Sequence, residues 1–392
     1  MALADLSRLD AATARTAPAL AQRLCAVGFH RGYVQQLTAR LPGLPAHLQT
    51  SGLAWLALDD PQPAALALRL LVLQQSLSAE QLGTLFGDEL AADLQAAGLL
   101  LPHKARWRFG LQLELVNQLM VLSDPQGDHP ATVMAVGGST QLLAAACYPQ
   151  ADIARALDLG CGSGTLALLL AGACREVVAT DINPRALQLA RFNAALNGIT
   201  CIDWRLGHLF EPVADETFDL VASQPPFLAL RPGAPQVLYL HGGARGDELA
   251  LALLAQAPAH LAPGGLAVVL SDFPVLAEPL SRRLRAVLPQ DIGLMLLRAE
   301  HAVATATHLT LYGGVLSGPA GQETLALHHH LRALGVDHVD HAVVVLHPGK
   351  GTLTVSVENG LWGGLQRSDI DRLLAERSSL EHPAPPPPPP QG

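Results

Sequence analysis

The sequence predicts an α/β protein, a doubly wound parallel sheet that follows a mainly helical N-terminal domain. Two observations carry this expectation. From about Ala151 onward, short apolar runs alternate with helical segments, the rhythm of parallel strands covered by helices on both faces. Before that point, from residue 18 to about residue 110, apolar residues recur at helical spacing, as at Leu66, Leu70 and Leu73.

Within the N-terminal part, Ser78 with Gln81 three residues on offers a capping box, so a short helix is expected to run to Phe86. Gly87-Asp88 breaks it. Asp88 can cap a second helix over Glu89 to Ala97, and Gly98 stops that helix. Leu99-Leu100-Leu101 and Arg106-Trp107-Arg108-Phe109 then flank a polar turn at Pro102-His103-Lys104. Three helices and a hairpin read as a winged-helix-like domain over residues 1–127. The basic hairpin is read as a solvated wing in preference to a contact for RNA phosphates.

In the second part, Ala154–Leu159, Glu176–Thr180, Thr200–Leu206, Phe218–Ser223 and Leu266–Ser271 are predicted strands. Thr165–Ala173, Pro184–Asn197 and Asp247–Leu261 are predicted helices. His341–Leu346 and Thr352–Val357 flank Pro348-Gly349-Lys350-Gly351 and predict a final hairpin. This domain is taken as residues 128–377. Residues 378–392, with six consecutive prolines at Pro385–Pro390, are taken as a disordered tail.

Composition narrows the function classes. The formal net charge is −9, and only Lys104 and Lys350 are lysines, so no global field attracts nucleic acid. The five cysteines, Cys25, Cys147, Cys161, Cys174 and Cys201, form no C-x-x-C pair. Neither a disulfide framework nor a zinc site is indicated, and no metal is expected. His328-His329-His330, with His338 and His341 nearby, lacks an evident carboxylate or cysteine partner. With no apolar run of leader type or membrane-spanning length, a cytoplasmic protein is expected.

Three segments carry chemistry. In Asp158-Leu159-Gly160-Cys161-Gly162-Ser163-Gly164-Thr165, a strand ends, a glycine-rich turn follows and a helix begins. Such a turn presents free N–H groups and a positive dipole end to an anionic ligand. Taken alone it also fits a dinucleotide site. Asp181 closes the next strand, where a carboxylate can accept both hydroxyls of a ribose; this too is shared between cofactor classes. The segment Ser223-Gln224-Pro225-Pro226-Phe227 distinguishes them. Two prolines stiffen the backbone. The Gln224 amide oxygen and a nearby carbonyl can hold the hydrogens of a planar –NH₂ group, and the Phe227 ring can stack on its flat face.

These segments resemble the class I methyltransferases of the branch with an Asn-Pro-Pro-aromatic motif, which includes the release-factor glutamine and ribosomal RNA amino-methyltransferases. The resemblance runs from about Ala131 to Gly265. It rests on the Asp158–Gly164 segment, Asp181-Ile182-Asn183-Pro184-Arg185-Ala186-Leu187, Asn193-Ala194-Ala195-Leu196-Asn197-Gly198 and Gln224-Pro225-Pro226-Phe227. It implies a Rossmann-like sheet and the cofactor S-adenosyl-L-methionine. Its contacts would come from Asp158, Gly160, Cys161, Gly162, Gly164, Asp181, Ile182, Asn183, Gly207, His208 and Leu209. Gln224, Pro225, Pro226 and Phe227 would form the catalytic segment. Two positions depart from the pattern: His208 replaces the usual small polar residue beside the adenine, and Gln224 replaces the usual Asn or Asp.

The resemblance implies transfer of a methyl group to a nitrogen of a protein or RNA. The acidic charge and Gln224 also leave room for a small-molecule acceptor; there, a winged-helix domain serves dimerisation, which makes a homodimer an option. The N-terminal domain is expected to supply no catalytic group, so the chain from about Asp128 onward is expected to bind the cofactor alone.

Overall fold

The computed structural model describes residues 3–148, 153–312, 321–357 and 364–381. It begins with α1 (Leu9–Ala26), α2 (Arg31–Thr38), α3 (Ala46–Asp59), α4 (Pro63–Ala67), a π turn at Leu68–Val72 and α5 (Ala79–Ala96). Ser78 caps α5 in a complete capping box with Gln81, and Gly87, at φ 73° and ψ 169°, breaks the helix where the sequence predicts a break. Two hairpins follow: β1 (Leu100–His103) with β2 (Arg106–Phe109), and β3 (Gln112–Val116) with β4 (Leu119–Ser123). Leu77 and Trp107 exchange backbone hydrogen bonds of 2.8 Å, which adds a third edge to the first hairpin. The Arg106 guanidinium turns back onto Ser76 O and the Gln81 side chain and so helps to hold the hairpin against α5.

The second part runs through α6 (Gly138–Cys147), β5 (Ile153–Leu159), α7 (Thr165–Leu170), β6 (Cys174–Asp181), α8 (Pro184–Leu196), β7 (Ile202–Leu206) and β8 (Phe218–Ser223). A short parallel pair, β9 (Leu228–Ala229) and β10 (His241–Gly243), precedes α9 (Glu248–Gln256). Then come β11 (Leu261–Pro274), α10 (Leu280–Val287), β12 (Ile292–Ala299), β13 (Val303–Ala304), α11 (Thr305–Thr310), α12 (Gln322–Ala333), β14 (His338–Pro348) and β15 (Thr352–Val357). A last helix spans Arg367–Glu381. Residues 382–392, most of the predicted proline-rich tail, lie outside the described residues.

The main sheet has the order β15-β12-β14-β11-β8-β5-β6-β7, with β13 beside β14. The chain works outward from β5 through β6 to β7, then returns to the other side of β5 with β8 and β11. The switch point therefore lies between β5 and β8, where open α/β sheets bind ligands at the carboxyl ends of their strands. The expected fold class, a doubly wound Rossmann-like sheet after a mainly helical region, is the one observed. The predicted final hairpin is not. β14 and β15 both pair with β12, antiparallel and parallel respectively, and not with each other. β12, which the pattern reading passed over, is inserted between them, and the glycines at 349 and 351 let the chain step across it with φ of 129° and 81°.

The two parts of the chain share a core. Ala186, Leu189, Phe192 and Leu196 on α8 pack into the cluster built by α1, α5 and the N-terminal hairpins. On the same helix, Asn193 accepts from Leu122 N at 2.8 Å and donates to Leu122 O at 2.9 Å. Asn197 does the same with Met120, at 2.9 and 2.7 Å. The match is geometric: four residues of helix rise about 6.0 Å, and two residues of strand span about 6.8 Å. Two side-chain amides therefore pair with the free edge of β4 like a neighbouring strand. Arg185 adds an ion pair with buried Asp124 and donates to Ala4 O at 2.7 Å. A chain starting at Asp128 would expose this apolar face and take from both asparagines their partners on β4, a physical obstacle to the expected independence of residues 128–377.

Asn193 also donates to Ser163 O, at 2.9 Å, inside the glycine-rich turn. Asn193→Ala removes the partners of three buried backbone groups. At about 1–3 kcal/mol for each buried group left unpaired, urea unfolding should show a loss of about 3 kcal/mol or more. A loss below about 1 kcal/mol would contradict the account.

Candidate active site

Register brings the sequence segments together. Leu159 of β5 stands opposite Thr180 of β6 on one side and Ser223 of β8 on the other. Ser223 Oγ donates to Leu159 O at 2.7 Å and locks that alignment. The glycine turn, Asp181 and Gln224 therefore leave three adjacent strands at one level, beside the switch point.

The turn is held from behind. Gly160 N and Cys161 N donate to Thr180 O, each at 2.9 Å. Gly162 N donates to Asp181 Oδ2 and Asn183 N to Asp181 Oδ1, both at 2.8 Å. The Asp181 carboxylate keeps acceptor capacity beyond the bonds it makes to backbone N–H groups. A Cβ placed on Gly160 or Gly162 would meet nothing within 4 Å, so open space lies in front of the turn. Gly164 is different: a Cβ there would lie 2.9 Å from Ala190 Cβ and from the Trp204 ring, which requires glycine where α7 meets α8 and β7. Ile182 is 50 % and Leu206 58 % exposed, and Leu206 stands opposite Asp181. Two bare apolar side chains thus flank the carboxylate, a surface suited to a flat heteroaromatic ring. The residues present fit a nucleoside cofactor with a carboxylate-bearing tail. Leu206 was not singled out from the sequence; its position one strand over from Asp181 becomes visible only with the register.

Several residues expected at the cofactor do their work one layer back. Asp158 is buried, and its carboxylate accepts from Ala167 N at 2.9 Å, which anchors the first turn of α7. Asn183 is the N-cap of α8, accepting from Arg185 N at 3.1 Å and donating to Ala131 O at 3.0 Å. Gly207 N donates to Asp181 O at 3.0 Å, and a Cβ on Gly207 would strike Pro212. His208 is exposed, Leu209 is half-buried with φ 46°, and Cys161 is buried.

Gln224 is half-buried. Its Nε2 donates to Ser139 Oγ at 2.8 Å, at the start of α6, and its Oε1 accepts no hydrogen bond among the described residues. Pro225 is buried; Pro226 and Phe227 are half-buried. The motif is braced by the loop before α9. A Cβ on Gly242 would lie 2.2 Å from Pro226 O, and one on Gly246 would lie 2.1 Å from Phe227 O. That glycine-rich loop is a buttress of the motif. Buried Asp247 ends it, ion-paired to buried Arg283, whose other nitrogen donates to Pro274 O at 2.8 Å.

The Phe227 ring meets His308 and Tyr312, with centroids 6.1 and 5.8 Å away. Beyond them His341 is paired with Asp272, its cross-strand neighbour between β11 and β14. Burial lowers the pKa of His308, whereas the bond to Asp272 raises that of His341. The histidine run behaves otherwise: His330 bonds Ala244 O at 3.0 Å, and none of His328, His329 and His330 joins this cluster. His341 finds its carboxylate partner 69 residues away in sequence.

Burial pushes the Asp158 carboxyl up to about 7, with the nearby Asp181 charge adding to the rise. An unfolded aspartate titrates near 3.9, so between about pH 4 and 7 the native state holds a proton that the unfolded chain has lost. Stability from this group therefore falls as pH rises through that window, by at most about 1.4 kcal/mol per pH unit. Asp158→Asn keeps an acceptor for Ala167 N and removes the charge. Its melting temperature should rise relative to wild type between pH 4 and 7 and hold a constant lead above it. Parallel curves across that window would contradict a raised carboxyl.

Comparison with known proteins places this site in context. The family model described as the methyltransferase small domain matches residues 134–288. A release factor glutamine methyltransferase of Xylella fastidiosa is 40 % identical over 129 residues, covering 29 % of this chain and 46 % of that protein. The Deinococcus radiodurans protein of the same description is 41 % identical over 141 residues, 33 % of this chain and 50 % of that one. A ribosomal protein uL3 glutamine methyltransferase of Bordetella pertussis is 36 % identical over 129 residues, covering 30 % and 43 %. The chain thus spans about half the length of the curated relatives it matches.

Proposed function

We propose that the chain is an S-adenosyl-L-methionine-dependent methyltransferase that acts on a nitrogen, with a protein side-chain amide as the favoured acceptor. The observation that carries the reading is the convergence, on three neighbouring strand ends, of an open glycine turn, a carboxylate and a clamped amide with a spare acceptor oxygen. The names of the relatives support a protein substrate, since both kinds are described as glutamine methyltransferases. The match to the methyltransferase small domain supports the reaction.

In this reading the backbone N–H groups of Gly160 to Gly164 and the first turn of α7 hold the carboxylate end of the cofactor. Asp181 takes the ribose hydroxyls. Ile182, Leu206 and the Gly207–Leu209 backbone take the adenine, with His208 at the rim. When bound, the cofactor supplies an electrophilic methyl group on a cationic sulfur. Gln224 Oε1 accepts one hydrogen of the acceptor –NH₂, a carbonyl of the proline pair accepts the other, and Phe227 supports the plane. This holds the nitrogen lone pair in line with the methyl group, and rate is gained by positioning. The nitrogen proton is lost after transfer, so no strong base is required beside Gln224.

For the N-terminal region we infer a winged-helix-like module over residues 1–127 that presents the substrate. The capping box of α5 and the β1–β2 hairpin support this, and its shared core with α8 would keep that presentation in a fixed frame.

The first test is methyl transfer from labelled cofactor into a cell extract fractionated into RNA, protein and metabolites. Label in protein is expected; label confined to RNA or metabolites would overturn the protein acceptor, and no label in any fraction would overturn the reaction. Asp181→Ala should weaken cofactor binding by about 1–3 kcal/mol, measured by calorimetry, and wild-type affinity would remove Asp181 from the site. Gln224→Ala should bind the cofactor almost normally and turn over about a hundred-fold more slowly, because geometry at the acceptor is lost. Gln224→Asn keeps the amide but cannot span the same distance to Ser139, and should also be slow. Turnover of Gln224→Ala close to wild type would leave the prolines and Phe227 as a structural platform.

A further inference from the structure

Next to the candidate acceptor side of the site, three potential ligands converge from separate elements. Asp272 lies near the end of β11, His341 near the start of β14 and His308 on α11. One ligand atom from each lies within 4.8 Å of the others, and this is the one such group of His, Cys, Asp or Glu among the described residues. Strand pairing sets Asp272 against His341, so the two side chains share a face of the sheet.

His308 is the informative member. The residue is 2 % exposed, and its Nδ1 is buried without a hydrogen-bond partner. Buried polar atoms in folded proteins almost always have a partner, so an orphan facing a carboxylate and a second imidazole calls for an occupant. His308 Nδ1 faces Asp272 Oδ2 at 3.7 Å. That separation is long for a hydrogen bond. It is close to the roughly 3.3 Å between two atoms that each sit about 2.0 Å from one tetrahedral ion. His341 Nδ1 is hydrogen-bonded to the other Asp272 oxygen, so a bound ion would take the place of the proton they share.

We propose that Asp272, His308 and His341 form a binding site for a divalent transition-metal ion of the zinc class. Two imidazoles and one carboxylate suit such borderline ions; calcium and magnesium take oxygen ligands throughout. Three protein ligands leave the fourth tetrahedral position for water or for an atom of a bound molecule. The Phe227 ring packs against His308, so that position adjoins the motif that would hold the methyl acceptor. An oxygen or nitrogen of the acceptor could then be fixed there; this last step rests on the proposed methyl transfer, whereas metal binding does not.

The test uses the full chain, stripped with chelator and titrated with Co²⁺ in the absence of cofactor and acceptor. One ion per chain should bind, with the strong visible absorption of four-coordinate cobalt, and Zn²⁺ should displace it. His308→Gln and His341→Gln should each weaken binding at least ten-fold while thermal melts confirm that they fold. His341 is the partly exposed member, so its variant keeps the test decisive if His308→Gln fails to fold. A chain with His328, His329 and His330 all replaced by Gln should bind as wild type, which separates the site from the histidine run. No saturable cobalt absorption would overturn the proposal. So would wild-type affinity in folded His341→Gln, or loss of binding only when the histidine run is replaced. Because the readout needs no methyl transfer, an inactive enzyme that still binds cobalt would fail the proposed function and leave this site standing.

Discussion

The buried side-chain amide of Asn193 joins the two ends of this architecture. One face of it completes the edge of β4, and its remaining hydrogen holds Ser163 O within the glycine turn. Buried polar groups are tolerated only when their hydrogen bonds are made, so the position of β4 and the path of the turn constrain each other. α8 is the rigid element through which they do so. Asn183 at its start orders the backbone around Asp181; Phe192 and Leu196 along it pack into the N-terminal core; Asn197 at its end grips Met120. A helix that packs beside a cofactor-type turn is thereby also the main wall of the N-terminal region.

That arrangement explains why so many candidate cofactor residues lie behind the open space. A ligand-binding turn of backbone N–H groups has to be rigid to be selective, yet its glycines contribute no side chains to hold it. The restraints come from residues at the back: Thr180 O on Gly160 and Cys161, Asp181 on Gly162, Asp158 on α7 and Asn193 on Ser163. Asp158 is the costly member of this set. Its carboxylate sits in a dry interior close to that of Asp181, which is why its proton is held so far up the pH scale.

What the sequence shows and hides follows from range. Strands β5, β6 and β8, helix α8, the break at Gly87 and the capping box of α5 were legible because each is written within about ten residues by apolar period, a cap or a glycine. The glycine turn and Asp181 were legible for the same reason. The misplaced final hairpin shows the limit: two strands joined by a tight glycine-rich loop read as partners, and only the insertion of β12 overrules that local signal. Ser139, Leu206 and the Asp272–His308–His341 cluster depend on pairing across long stretches of chain. Ser139 lies 85 residues from Gln224, and no spacing rule connects them. Asn193 and Asn197 sat inside a recognised segment, but their task at the edge of β4 became visible only once β4 was placed.

The departure at Gln224 can be understood from its surroundings. Glutamine has one more rotatable bond than asparagine, so an unrestrained Gln224 would lose more side-chain freedom on taking a single productive pose. The Ser139 hydroxyl at the start of α6 counters this by fixing the Nε2 end in the free protein. Fixing one end of a planar amide also fixes the other, so Oε1 is held in one direction. Pro225 and Pro226 set the backbone from which the side chain springs, and the close approach of Gly242 and Gly246 stops that backbone from sliding. The longer side chain carries the amide out toward Ser139, and the hydroxyl there restores the order that the extra methylene would cost.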